Sequence, residues 1–592
     1  MILVTPEGKQ AEFIDAIKSD EKYIIVEAPA GTGKTFSCIQ AVKTIVDSQK
    51  LGQYQKVLVL TFSRNARAQL LKELSKFSLE DPIYKHIDIN NYHSFFKKYL
   101  DTYRDAIGIK QKLCVVDDDD FIEGLINYAE SMGISINKGL KCSLLDDFVF
   151  DNQKLVVVNQ SLKISKRKYP DIELFLRTAF LYTQTTGTVC FAQFGNLVYK
   201  ILSSLPRMES AISHDYPVLI LDEYQDTNYF QEQFVRGVLK KSAGIFFCDR
   251  YQMIYSFRGS TTKRIEELPA LYPGIKRIEF DEYYRYKDKD DIVQLLTAIR
   301  NRGALDYTHL TNGRLINLSV DCSPKWREIK NAKSQKMQCT LYCKTILFGI
   351  MKEVSLLLAQ NQSVSILCRN NIEVDRLVTL FFEKGYFPKE ICDTKDMALI
   401  GKHLKAICNN ASVKNNLVHI LSVAVLCTSK KTLFGDSTED IKKLTYDSFK
   451  RKTKAGFKKV KPIIVAYAEK TGYHETVDVI SQIIDIADQE GEAITYTKKK
   501  FFEQCSKLEN PTPENIDSIM LQRQYTNSFS SITSGLYITT IHQSKGKEFD
   551  SVFVADVAAL VEDQNILYVS HSRMKQRLYP INITYNGLKY GK

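Results

Sequence analysis

Residues 22 to 49 constrain this chain more than any other stretch. "KYIIV" is a short apolar, β-branched run that reads as a buried strand. "EAPAGTGKTF" follows it, and then "SCIQAVKTIVDSQ", where Ile39, Val42, Ile45 and Val46 recur at helical spacing. Strand, glycine turn and helix form the setting of a loop that grips phosphate. Gly31 and Gly33 let backbone N–H groups point inward, and the helix adds its positive dipole end. In residues Ala28, Pro29, Ala30, Gly31, Thr32, Gly33, Lys34 and Thr35, the lysine is placed to reach β- and γ-phosphates. The Thr35 hydroxyl is placed to ligate Mg²⁺. The loop departs from the strict pattern at one point, since Ala28 stands where the first glycine is usual.

A chain of 592 residues is too long for one core and should divide into several domains. Its 44% hydrophobic and 25% charged content are ordinary for a globular protein, and its net charge of +12 is compatible with a nucleic-acid partner. The 13 cysteines form no CxxC pair, which favours reduced thiols in a cytoplasmic setting. No apolar run approaches membrane-spanning length, and "MILVTPEGKQ" is too polar for a signal sequence.

Short apolar strands alternate with helical stretches in two blocks. "KYIIV", "KVLVLTF", "VLILDE" and "GIFFCD" make the first. "KRIEF", "SVSILC", "LYITTI", "SVFVADV" and "RLYPINI" make the second. Each block predicts a parallel sheet, and a mainly helical stretch interrupts each one. The second of these stretches carries the basic run "KRKTKAGFKKVKP", which reads either as solvated surface or as a grip on duplex phosphates.

"VLILDEYQDT" ends a strand on two adjacent carboxylates. Asp222 is placed to hold Mg²⁺, and Glu223 to orient and deprotonate a water. In "FFCDRYQMIYSFRGS", Gln252 is placed to sense a γ-phosphate. Tyr255, Phe257 and Arg258 are suited to stacking on unpaired bases, although aromatic residues at such spacing also build cores.

These stretches, with "LTFSRNARAQL", "NYHSFF", "EYYRY", "TTIHQSKGKEFDSV" and "LYVSHSRMKQRL", resemble in order and spacing the motifs of the UvrD/Rep family of superfamily 1 helicases. The resemblance runs from near residue 5 to near residue 580. It implies an α/β fold of two RecA-like P-loop domains, each interrupted by a mainly helical insertion. The expected boundaries are 1–96 and 191–281 for domain 1A, 97–190 for insertion 1B, 282–385 and 535–592 for domain 2A, and 386–534 for insertion 2B. It also implies an ATP- and Mg²⁺-dependent translocase on single-stranded DNA and duplex junctions, moving 3′ to 5′.

Further roles come from the resemblance alone. Gln10 corresponds to the residue that reads the adenine edge, Tyr284 to the aromatic stacked on adenine, and Glu548 to the ribose contact. Phe36 replaces the usual arginine on the adenine's other face. Arg285 and Arg573 correspond to two arginines that reach the γ-phosphate from the second domain. Phe62, Asn65, His93 and Phe257 fall at strand-contacting positions. His542 reads, like His93, either as a DNA contact or as a satisfied core histidine. Gln564 and Asn565 stand where the family has an arginine pair, Ser572 replaces a threonine, and Lys547 a leucine.

The residues leave two other readings open. One is a DNA-sensing ATPase subunit that licenses a separate nuclease chain, as in antiviral systems of the Gabija kind. The other is a small-molecule phosphotransferase, which leaves "IYSFRG" and the second arginine set without a purpose.

Overall fold

The computed structural model describes residues 6–137, 139–151, 154–255, 259–261, 263–302, 316, 318–321, 335–390, 395–408, 412–428, 441, 444–453, 455–489, 496–520 and 532–584. The chain forms two compact units. The first comprises Met1–Ala304 with Gln564–Tyr568, the second Leu305–Asp563 with Val569–Lys592. Residues 282–304, which the sequence pattern assigns to the start of the second α/β domain, cluster with the first unit.

The first unit is built on six parallel strands: β1 (Tyr23–Glu27), β2 (Val57–Thr61), β3 (Ile87–Asn91), β4 (Val218–Leu221), β5 (Ala243–Cys248) and β6 (Lys276–Glu279). Their order across the sheet is β6-β1-β5-β4-β2-β3. Successive side chains leave a strand on opposite faces. Ile25, Leu58, Leu60, Leu219, Leu221 and Phe246 accordingly enter one core. Ile24, Val26, Val57, Val59, Ile220 and Phe247 enter another on the opposite face. A sheet covered on both sides needs such nearly continuous apolar strands.

One strand corrects the sequence pattern. Alternation puts "KRIEF" in the second block, whereas the boundary at residue 281 leaves it with the first; β6 pairs with β1, Ile24 opposite Lys276 and Glu27 opposite Glu279. It is an edge strand, and only Ile278 of its four residues is buried. Charged outward positions suit an edge and carry no information about which sheet the strand joins.

The second unit repeats the plan with β7 (Leu318–Asp321), β8 (Ser363–Cys368), β9 (Lys389–Glu390), β10 (Gly535–Thr540), β11 (Phe549–Val554) and β12 (Met574–Thr584). The order is β7-β12-β11-β8-β10-β9, again parallel throughout. These two sheets and the helices around them are the α/β architecture expected from sequence.

Between β3 and β4 run helices Asp118–Ser131 and Tyr169–Thr186 and a hairpin, Phe148–Asp151 with Lys154–Val157. Between β9 and β10 the described residues are helical, from Lys395–Cys408 to Tyr496–Ser506, around their own apolar core. No described helix is long and apolar enough to cross a membrane.

Candidate nucleotide site and strand contacts

The phosphate-type loop follows β1 in the first unit. Gly31 and Gly33 have φ of +90° and +81°. These left-handed conformations come without penalty only to glycine. A Cβ on Gly33 would lie 2.5 Å from Gln10 Nε2 and 3.4 Å from the Tyr284 ring. Gln10 and Tyr284, expected as adenine contacts, therefore flank the loop at this point. Gln10 is buried and donates to the Thr32 carbonyl at 3.1 Å. Tyr284 is 41% exposed, which leaves a ring face open to a stacking partner. Phe36 is half-buried on the first turn of helix Lys34–Asp47.

Lys34 lies against the carboxylates that end β4, 3.2 Å from Asp222 Oδ1 and in contact with Glu223 Oε1. Burial opposes its charge, yet Asp222 and Glu223 beside it hold its proton above the ordinary lysine range. Burial pushes the Asp222 carboxyl up, against the pull of Lys34. Asp222 Oδ2 also accepts from the Thr61 hydroxyl at 3.0 Å. Glu223 has φ +54°, a left-handed conformation that is unusual and strained for a residue with a Cβ.

A polar chain leads away from this cluster. The Gln225 amide donates to Glu223 Oε2, and its Oε1 accepts from the Asp249 N–H at 3.1 Å. Gln252 donates to Asp249 Oδ2 at 2.9 Å. The structure thus joins Lys34, Asp222, Glu223 and Gln252, candidates from three separate stretches of sequence. Thr35 and Asp222 offer oxygen ligands only, a donor set that fits a hard cation such as Mg²⁺.

Arg285 belongs to the first unit, not to the second as the motif order implies. Its N–H donates to the Gly31 carbonyl at 3.1 Å, and its guanidinium lies 5.7 Å from the Tyr286 ring centre. Arg573 is buried in the second unit, donating to the Val569 carbonyl at 3.0 Å and to Ser572 Oγ at 2.8 Å. Glu548 and His542 are half-buried in the same unit.

Phe62 and Tyr255 stack with ring centres 5.2 Å apart and planes 26° apart. Asn65 is half-buried on the helix that starts at Arg64. His93 meets Phe191 edge-on at 5.7 Å and lies 6.1 Å from Phe194. Phe257 and Arg258 lie outside the described residues.

Sequence reasoning missed Tyr568. Its hydroxyl accepts the Ala30 N–H at 3.1 Å, and its ring lies 6.0 Å from Tyr251. Its signal is its place in "LYVSHSR", where the arginine draws attention first. The two substituted positions just before it also anchor this segment. Gln564 donates to the Arg300 carbonyl at 3.2 Å, and Asn565 to that of Met253 at 2.9 Å.

A glycine-bearing loop after the first strand of a parallel sheet, facing an acidic strand end, defines the P-loop nucleotide-binding class. Two family models match the chain: the UvrD/REP helicase N-terminal domain over residues 10–273 and the UvrD-like helicase C-terminal domain over residues 535–580. A probable DNA helicase II homolog of Mycoplasma genitalium is 21% identical over 95% of this chain and 83% of its own. The ATP-dependent DNA helicase PcrA of Staphylococcus epidermidis is 20% identical over 98% and 84%. The match to UvrD1 of Mycobacterium leprae is shorter, 22% identical over 52% of this chain and 42% of that relative. The chain belongs to the UvrD/Rep family of ATP-hydrolysing DNA helicases.

Proposed function

We propose that this protein is a translocase that couples ATP hydrolysis to 3′-to-5′ movement along single-stranded DNA. The observation that carries the reading is a continuous polar chain through Lys34, Asp222, Glu223, Gln225, Asp249 and Gln252. It runs from the phosphate-type loop to the stretch that bears Tyr255, stacked on Phe62.

In this reading Lys34 holds the β- and γ-phosphates, and Thr35 and Asp222 hold Mg²⁺, which supplies charge neutralisation at the transferring phosphoryl group. Glu223 takes the proton of the attacking water. Lys34 contacts both carboxylates, Asp222 and Glu223. Gln10, Tyr284, Phe36 and Glu548 serve the nucleoside, and Arg285 and Arg573 the γ-phosphate. Phe62, Asn65, His93, Tyr255, Phe257, Arg258 and His542 serve the strand, whose stacking contacts tolerate any sequence.

Steady-state ATPase measurements with and without single-stranded DNA test the coupling. Displacement of a protein roadblock from either end of a strand tests direction. A 3′-to-5′ motor arrives at the 5′ end, so faster displacement from the 3′ end would overturn the direction.

The reading extends to duplex junctions through the basic segment around helix Ala455–Ala466, where Lys458 and Lys459 are exposed. Lys461 differs from them, because its ammonium donates to the carbonyls of Lys450 and Lys452. Replacing Lys458 and Lys459 with Ala should flatten the salt slope of junction binding by about 0.9 for each phosphate that is no longer neutralised. Single-strand binding should keep its slope.

A further inference from the structure

The turn that carries Glu223 and the segment that carries Tyr255 are fastened together at two points. Gln225 provides the first by accepting the Asp249 N–H at 3.1 Å. Arg264, on helix Lys263–Leu271, provides the second. Its Nη1 donates to the carbonyl of Thr227, the residue that closes the turn, and to the carbonyl of Gly259 at 2.8 Å. Its Nε donates to Glu232, on helix Tyr229–Leu239. Tyr255, stacked on Phe62, falls between the two fastenings in the chain.

This fastening is costly to build. The side chains of Arg264 and Glu232 are only 7% and 5% exposed. Burying an ion pair often gives no net stability over an apolar pair of the same volume. Glu232 is shared with Arg236, whose Nε donates to it at 2.9 Å and whose Nη2 lies 3.1 Å from Glu267. This network orients a guanidinium so that one nitrogen meets carbonyls from two different segments. A guanidinium is suited to that task because its donors are fixed in a plane, whereas an ammonium is a point charge.

Thr227 is tied in turn to the start of the catalytic turn. Its hydroxyl donates to the Tyr224 carbonyl at 2.8 Å, and the Asp226 N–H donates to that of Glu223 at 2.9 Å. Gly259 is therefore linked to the backbone next to Glu223 by a short series of hydrogen bonds. Gly259 has φ +81°, a conformation that suits glycine, and a Cβ there would stand 3.4 Å from Asn159.

We propose that Arg264, held in place by Glu232, is a positioning residue that transmits single-strand occupancy at Tyr255 to the turn bearing Glu223. The proposal rests on the translocase reading above. It assigns the acceleration of hydrolysis by DNA to a pair of residues that touch neither nucleotide nor strand.

The test compares ATP turnover of the full chain with and without oligothymidylate, in wild type, Arg264→Lys, Arg264→Met and Glu232→Gln. Arg264→Lys keeps a charge beside Glu232 but cannot span both carbonyls. Its DNA-stimulated kcat should fall about tenfold or more, with basal kcat and the KM for ATP within about twofold of wild type. Arg264→Met should behave alike, and Glu232→Gln should lose less. If Arg264→Met does not fold, the lysine and glutamine variants decide the matter. Full stimulation in the folded Arg264 variants overturns the proposal. So does a parallel fall of basal rate, stimulated rate and melting temperature, because the pair would then be a structural brace alone. A wild-type protein that DNA does not stimulate overturns the translocase reading itself, a result distinct from either of these.

Discussion

Of the helices that follow an interior strand of a parallel sheet, two have first turns that are finished in opposite ways. Helix Lys34–Asp47, after β1, begins at Gly33, which makes no side-chain capping bond. Helix Asn371–Glu383, after β8, begins at Asn370, whose side chain accepts the Glu373 N–H at 3.0 Å. Glu373 then folds back, accepting from the Arg369 N–H at 3.0 Å and from Asn370 Nδ2 at 2.9 Å. The partly positive end of a helix attracts an anion. The second sheet supplies its own, the Glu373 carboxylate. The first leaves the position to an incoming group and sets Lys34 beside it. These two helices thus differ in whether the helix end is already capped by a side chain, and the uncapped one is suited to phosphate.

If the second α/β unit contributes charge rather than a phosphate cradle, Arg573→Ala should lower kcat by roughly 10³-fold or more with ATP affinity little changed. Arg285→Ala, in the first unit, should do the same if its guanidinium serves the γ-phosphate. A rise in KM alone would make either arginine a ground-state contact. Next in size, Glu223→Gln should preserve nucleotide binding and reduce kcat by about 10²–10⁴-fold, whereas Lys34→Ala should abolish tight triphosphate binding. Turnover and fluorescent-nucleotide binding, measured side by side, separate the two. An active Glu223→Gln protein would remove the catalytic role of the first unit's acidic turn.

The capped helix end predicts a smaller, purely structural effect. Glu373→Ala leaves the Arg369 N–H and the Asn370 amide without their acceptor, which should cost about 1–3 kcal/mol in the second unit. Basal ATP turnover at a permissive temperature should hold, as followed by denaturant titration beside the ATPase assay. A gain of nucleotide binding in this variant would mean that the cap alone had kept the second helix end from acting like the first.

The least effect is one of pH. Burial pushes the Glu373 carboxyl up, against donations from the Arg369 N–H and Asn370. A carboxyl with a raised pKa in the folded state keeps its proton longer there than in the unfolded chain. Its contribution to stability is therefore complete below the unfolded value, about 4.3, and falls as pH rises through the higher folded value. Glu373→Gln cannot lose a proton, so its melting-temperature deficit against wild type should shrink from pH 4 to pH 7. A deficit that grows over that range would show the ionised carboxylate to be the favoured form.

Sequence is most informative where chemistry requires adjacent residues. Gly31 to Thr35 and the Asp222–Glu223 pair are readable because the roles proposed for them, a phosphate grip and a metal-and-base pair, each fit into a few consecutive positions. The two parallel sheets are readable because strands covered on both faces are continuously apolar. What depends on distant partners is not. β6 has one buried residue, and nothing in "KRIEF" names β1 as its neighbour. Arg264 and Glu232 look like surface charges on amphipathic helices until their burial is seen. Lys461 belongs to a run of lysines by composition, yet by geometry it caps backbone carbonyls.

The Tyr568 contact bears on how the protein is made. Ala30 and its hydroxyl partner are separated by 538 positions in the chain. At about 5–20 residues per second, a ribosome needs on the order of half a minute to two minutes to travel between them. Throughout that interval the Ala30 N–H of the nascent protein lacks its acceptor, and the Tyr251 ring lacks one of its neighbours. The first unit is finished only once Tyr568 has left the ribosome, so a translation product that stops short of it would carry the loop without the support that steadies it.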